Sequence, residues 1–192
     1  MIILAPVKEN SEEIHAVFSK RPPGLIVLAG LPGSGKSTIA RLIAMRTGAV
    51  WLRVDTLEAA MLAAGISRSF ETGLAAYIGI RDQARDHLAL GRWVIVDAVN
   101  GVEEARKMWN DLSAEISVDK WVVELVCSDP VEHRRRVESR VHPTPPLPMP
   151  TWEEILGREY ATWEEPVLTV DTSLPVDTNL GLILAYLQVT PM

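Results

Sequence analysis

Apolar positions along this chain switch repeatedly between two periods. Leu25–Ala29, Ala49–Val54, Trp93–Asp97, Trp121–Cys127 and Val167–Asp171 are mainly apolar runs, three of them closing on or beside a polar end. Runs of that length and composition read as strands buried on both faces. Between them, apolar residues recur at three- and four-residue steps, the helical spacing. The stripes are Ile39, Leu42 and Ile43; Leu57, Ala60, Met61 and Ala64; Leu74, Tyr77, Ile78, Ala84 and Leu88; Val102, Ala105, Trp109 and Leu112; and Leu180, Ile183, Leu184 and Leu187. Gly48, Gly65 and Gly91 stop the first three, and a loop from Ile66 to Gly73 is expected before the helix at Leu74–Leu90. Asp129-Pro130-Val131-Glu132 and Thr151-Trp152-Glu153-Glu154 each open a helix by capping, the second with Trp152, Ile155, Leu156 and Trp163 on one side. Strands alternating with helices predict a parallel sheet covered on both faces.

Two stretches stand outside this alternation. Residues 1–23 read as an N-terminal extension packed on the domain, with a short helix at Ser11–Phe18 that turns Ile14, Val17 and Phe18 to one face. Arg21-Pro22-Pro23-Gly24 breaks the chain after it, and residues 24–192 form one domain. Pro143-Thr144-Pro145-Pro146-Leu147-Pro148-Met149-Pro150 reads as a stiff, extended surface connector.

Composition narrows the class. With 47% hydrophobic and 23% charged residues among 192, the chain is an ordinary globule with enough apolar material for a sizeable core. A net charge of −6 disfavours extended nucleic-acid binding. The single cysteine, Cys127, sits in an apolar run and reads as a buried small hydrophobe in a reducing compartment. Met1–Ala5 is too short for a signal-peptide core and no run approaches a membrane span, so a cytoplasmic location is expected.

Candidate chemistry begins where the first strand ends. Gly30-Leu31-Pro32-Gly33-Ser34-Gly35-Lys36-Ser37 fits the G-x-x-x-x-G-K-[ST] spacing, followed by Thr38 and a helix. Glycines at these positions let successive backbone N–H groups converge on one anion, and the helix N-terminus adds its dipole. Nucleotide triphosphate binding follows, with Lys36 on the β- and γ-phosphates and the Ser37 hydroxyl on Mg²⁺. Asp55, Asp97 and Asp171 fall at strand carboxyl ends, where such sheets gather ligands. Asp97 is read as a holder of Mg²⁺ or its water, the alternative being a chain turn; Asp55 as the base for an acceptor hydroxyl, the alternative being a helix N-cap. Asp171, beside Thr172 and Ser173, is read as turning the chain near a nucleotide base. In the run His133-Arg134-Arg135-Arg136, Arg136 shares a helix face with His133 and Arg140 and offers charge to a transferring phosphate; Arg134 and Arg135 are expected in solvent or paired with acids such as Glu132 and Glu138. The remaining histidines, His15, His87 and His142, have no partners at metal-ligand spacing, and the tryptophans are read as core.

With these residues placed, the chain resembles the small P-loop kinases over about Gly24 to Leu187. The group includes zeta-toxin-like kinases, chloramphenicol phosphotransferase, gluconate and adenylylsulfate kinases and polynucleotide kinase domains. The resemblance rests on GLPGSGKST (Gly30–Thr38), VDTLE from Val54, VIVDAVN from Val94 and CSDPVEHRRRVESR (Cys127–Arg140). It implies a three-layer α/β/α P-loop nucleoside triphosphate hydrolase fold with a five-stranded parallel sheet, ATP with Mg²⁺, and a lid at about 130–165. It also implies an acceptor-activating acid at Asp55, lid arginines at Arg136 and Arg140, a strand-end acid at Asp97 and phosphate contacts from Gly33, Gly35, Lys36 and Ser37. Thr56 and Glu58 depart from the polynucleotide kinase pattern, which places a second acid beside the base and an arginine three residues after it. The expectation is an ATP-dependent kinase acting on the hydroxyl of a small molecule. Polynucleotide phosphorylation and a slow-hydrolysing nucleotide switch with a protein partner are the alternatives, and nothing in the residues speaks to oligomeric state.

Overall fold

Five strands, all parallel, form one sheet: β1 (Gly24–Ala29), β2 (Val50–Arg53), β3 (Val94–Asp97), β4 (Asp119–Val126) and β5 (Leu168–Asp171), in the order β2-β3-β1-β4-β5. The structure, a computed structural model, describes residues 11–139 and 150–188. Among these the helices are α1 (Ser11–Phe18), α2 (Lys36–Thr47), α3 (Val54–Ala63), α4 (Phe70–Ala89), α5 (Glu103–Glu115), α6 (Pro130–Glu138), α7 (Trp152–Leu156) and α8 (Val176–Leu187).

Successive strand residues point to opposite faces, so each strand feeds two cores. Ile26 and Leu28 join Ile39, Ile43, Ile95, Trp121, Leu180 and Ile183 on the side of α1, α2 and α8. Leu25 and Val27 join Val94, Val96, Ala76, Ile80, Trp109 and Leu112 on the side of α4 and α5. This is the expected α/β/α arrangement, a P-loop nucleoside triphosphate hydrolase fold. Burial on both faces is what the unbroken apolar strands encode.

Several local expectations are corrected. On α1, Ile14 and Phe18 are buried but Val17 is exposed, because a helix this short turns one i, i+4 pair inward. The helix expected from Leu74 begins at Phe70, where the Ser69 hydroxyl accepts from Thr72 N at 3.2 Å. Its inward stripe is Thr72, Ala76, Ile80, Ala84 and Leu88 rather than Leu74 and Ile78, which are exposed. The small alanines let the backbone settle close to the sheet, and the bulkier residues are displaced to the flank. Val102 and Leu156 are likewise exposed. Cys127 is half-buried rather than enclosed, since β4 ends at Val126 and releases it to the loop, its thiol 3.5 Å from Asp129 O. The Pro-rich connector at 143–149, with His142 and Arg140, lies outside the described residues.

Both predicted caps form. Asp129 Oδ1 accepts from Val131 N and Glu132 N with Pro130 at the first helical position, and Thr151 and Glu154 exchange hydrogen bonds as a capping box. They matter because α6 and α7 stand over the carboxyl edge of the sheet.

Candidate functional site

The loop from Gly30 to Gly35 bridges β1 and α2 in a conformation only glycine permits at its first position. Gly30 has φ of +136°, and a Cβ there would lie 2.2 Å from the Leu125 carbonyl oxygen. At the next bend, a Cβ on Gly33 would lie 2.6 Å from Val137 of α6. Close approach of α6 is secured by a second contact. His133, buried, holds Nε2 at 2.8 Å from Pro32 O. A carbonyl oxygen only accepts, so Nε2 carries the proton. The His133 ring also packs edge-on against Trp152 of α7. Lys36 Nζ donates to Gly30 O at 2.7 Å and Leu31 O at 2.9 Å, holding the ammonium at the loop.

A cavity of about 380 Å³ opens over this loop. Pro32, Gly33, Gly35, Lys36, Ser37 and Thr38 form one wall, Val54, Asp55 and Glu58 of α3 another, and Arg136 a third. Arg68, Tyr77, Val99, Pro150 and Arg158 complete it. Of the residues read from sequence as candidates, Gly30 and Ser34 belong to the loop but do not line the cavity. Asp97 is buried at the end of β3 but does not line the cavity. Its Oδ2 accepts from Trp51 Nε1 at 3.3 Å and lies 3.7 Å from Arg53 Nε.

Arg136 is fixed from two sides. Nε donates to Glu132 Oε1 at 2.8 Å, while its two terminal nitrogens donate to Thr172 Oγ1 and Thr172 O at 2.8 and 2.9 Å. The Arg135 and Arg136 guanidiniums hold the Glu132 carboxyl down at about 2. Arg134 and Arg135 pair outward with Glu138 and Glu132. Arg136 also borders a second cavity of about 310 Å³, walled by Gly35, Thr38, Ile39, Leu174, Val176 and Asn179. Gly35, Thr38 and Arg136 line both cavities. Asp171 accepts from Ser128 N, Ser128 Oγ and Ser173 N, bonds that hold its carboxyl well below the ordinary range and turn the chain beside this second cavity.

At the opposite end of the first cavity, burial raises the Glu58 carboxyl, and the neighbouring Asp55 carboxylate raises it further; Arg68 and Arg158 act against both. Burial pushes the Tyr77 phenol up to about 12, keeping it neutral, and its oxygen accepts from Asn100 N at 3.3 Å.

Sequence reasoning missed the residues behind this end. Asn100, fully buried at φ of +49°, donates from Nδ2 to Leu28 O and accepts at Oδ1 from Trp109 Nε1, both at 2.9 Å. Arg106, also buried, donates to Asn100 O, Thr162 O and Ala161 O and stacks 3.7 Å from the Trp163 ring centroid. That clamp ties the segment carrying Arg158 to the loop after β3. The available signal was Asn100 following the β3 acid in Val-Asp-Ala-Val-Asn, with a basic residue in the next helix.

Among the described residues there is no cluster of three His, Cys, Asp or Glu able to hold a metal, and no helix is long and apolar enough to cross a membrane. Ser37 offers one hydroxyl in the cavity, which fits an ion such as Mg²⁺ that keeps most of its shell from water and phosphate. Asp97, engaged by Trp51 and Arg53, fits contact through water rather than a direct bond.

No curated protein sequence matches the chain. Solved structures do. A protein of Chloroflexus aurantiacus J-10-fl described as a candidate kinase superposes with a TM-score of 0.71 at 20% identity, covering 88% of this chain and 98% of that one. APS kinase CysC of Mycobacterium tuberculosis, solved with AMPPNP and APS, gives a TM-score of 0.66 at 19% identity over 88% and 99% of the two chains. A gluconokinase of Sinorhizobium meliloti 1021 gives 0.60 at 23% identity over 88% and 95%. These likenesses share the fold. A family profile described as AAA domain (AAA_33) matches residues 25–159, most of the sheet and the whole loop-bearing cavity wall. By that match, and with its phosphate-type loop at the carboxyl edge of a five-stranded parallel sheet, the chain belongs to the AAA domain family of P-loop proteins.

Proposed function

We propose that the protein is an ATP-dependent kinase that transfers the γ-phosphoryl group to a hydroxyl of a small molecule. One observation carries this: Asp55 shares a single cavity with Lys36, Ser37 and Arg136. A loop that only held nucleotide would need no carboxylate opposite its lysine. The cavity volume also lies in the range of small-molecule sites, and the net charge of −6 argues against a polynucleotide acceptor. The fold neighbours named as gluconokinase and APS kinase act in keeping with this reading.

On this reading the second cavity takes the nucleoside, with Arg136 over the junction of base and phosphates. The loop amides and Lys36 hold the phosphates in place. Mg²⁺, held by the Ser37 hydroxyl with Asp97 acting through water, would neutralise charge on the phosphate oxygens. Asp55 accepts the proton of the acceptor hydroxyl as that oxygen bonds to the γ-phosphorus, while the bond to the β-phosphate oxygen breaks and ADP leaves. Lys36 and Arg136 stabilise the charge that develops between the two. Tyr77, neutral at physiological pH, keeps its O–H proton to donate.

The test is Asp55→Asn assayed against hydroxylated metabolites and 5′-hydroxyl oligonucleotides. Transfer should fall by about 100-fold or more while ATP affinity is retained. Near-normal transfer in the variant would remove Asp55 from the base role. Phosphorylation of oligonucleotides alone would overturn the small-molecule acceptor, and ATP binding with no acceptor at all would favour a nucleotide switch.

A further inference from the structure

The charge in the first cavity is not that of a site built for a neutral alcohol. Lys36 and Arg136 stand at the loop end, and Asp55 and Glu58 on the α3 wall. Two more guanidiniums, Arg68 and Arg158, enter from unrelated segments: one from the loop before α4, the other from just beyond α7. Elsewhere Arg85, Arg134 and Arg135 each fold onto a neighbouring carboxylate. Arg68 and Arg158 do not. Among the described residues, neither guanidinium makes a hydrogen bond or ion pair, and neither do the Asp55 and Glu58 side chains. Each is close enough to influence Glu58 electrostatically, yet the four groups remain separate around one space.

A neutral polyol would give the two carboxylates hydroxyl donors but offer both guanidiniums only uncharged hydroxyl oxygens, leaving them without a charged acceptor. An oxyanion supplies that acceptor, and planar guanidinium forks are suited to carboxylate and phosphate oxygens. The distribution of charge also orders such a ligand, since its anionic end is repelled from Asp55 and Glu58 and its hydroxyl end is drawn to them. We propose that Arg68 and Arg158 form an anion clamp and that the acceptor is a hydroxylated small molecule bearing a carboxylate or a phosphate. The proposal rests on the kinase reading for the word acceptor, but the clamp itself is a binding site that can be tested without transfer.

The decisive measurement is binding, read from the arginine Nε–H resonances of the full-length protein with a non-hydrolysable ATP analogue present. Arg68→Gln and Arg158→Gln assign the two signals. The probes are matched: glycerate against glycerol for the carboxylate, ribose phosphate against ribose for the phosphate. Saturable shifts of both signals with at least one anionic probe are expected, at an affinity about tenfold or more above its neutral partner. The double variant should lose that preference while still binding the ATP analogue. No anionic probe shifting either signal, equal binding of the neutral partners, or a preference that survives in the double variant overturns the clamp. Whether the carboxylate or the phosphate binds better identifies the anion. A parallel ATP transfer assay separates the two readings. Anion binding at the clamp with no phosphate transferred to any probe or screened hydroxyl compound counts against the kinase alone. Efficient transfer to neutral polyols in preference to their charged partners counts against the clamp alone.

Discussion

Glu58 sits where its own charge is disfavoured. Burial and the adjacent Asp55 carboxylate raise its carboxyl above the ordinary 4.5, against the pull of Arg68 and Arg158. A carboxyl raised in the folded state is penalised when ionised, so the fold gains stability as pH falls through the raised value and loses it as pH rises. Glu58→Gln removes the ionisable group and should raise the melting temperature at pH 7. The gain should vanish below pH 4.5, where the wild-type carboxyl is protonated in both states. Thermal melts at the two pH values check this, and an equal shift at both would assign the effect to packing instead. Lys36 was legible at this scale because motif spacing singles it out. Asp55 was singled out as a strand-end acid, whereas β2 stops at Arg53 and Asp55 lies in the first turn of α3. Arg68 and Arg158 were not legible: they lie in segments without periodicity, and only the folded chain brings them to one cavity. His133 was read as part of a charged helix face, whereas the close approach of α6 to Gly33 buries it against Pro32.

Two elements hold the site in shape. Helix α6 rests on the loop through His133 and Val137, so the bend at Gly33 and the placement of Arg136 are set together. Helix α5 acts at the other end through Arg106, whose guanidinium gathers Asn100 O, Ala161 O and Thr162 O beneath Trp163. Arg106→Ala leaves these carbonyls without their donor and removes the stacked cation. It should cost about 3 kcal/mol, seen as a lower urea midpoint. A loss below about 1 kcal/mol would show that water replaces the guanidinium without penalty. Helix boundaries were readable where a cap was explicit, as at Asp129 and Thr151. They were misread where Ser69 caps a helix that begins amid apparent loop residues. The inward face of α4 escaped a reading based on bulk, because alanines rather than leucines make its contact with the sheet.

At the scale of the molecule, the alternation of apolar strands and amphipathic helices contained the layered fold. It did not contain the extent to which the N-terminal segment joins the core. Ile14 and Phe18 are as buried as the central strands, and Phe18 meets Trp93 edge-on at 4.8 Å between ring centroids. Phe18→Ala should therefore destabilise the whole domain by about 3 kcal/mol or more, measured by chemical denaturation with an unchanged m-value. A peripheral appendage would show less than about 1 kcal/mol. That Gly35, Thr38 and Arg136 line both cavities has a consequence of another kind. If donor and acceptor sit on either side of these residues, neither has to leave before the other arrives, and no side chain has to carry the phosphoryl group between them. Initial-rate lines should intersect rather than run parallel when both substrates are varied. A chiral γ-thiophosphate should emerge with its configuration inverted; retention would signal a phosphorylated enzyme and a second displacement.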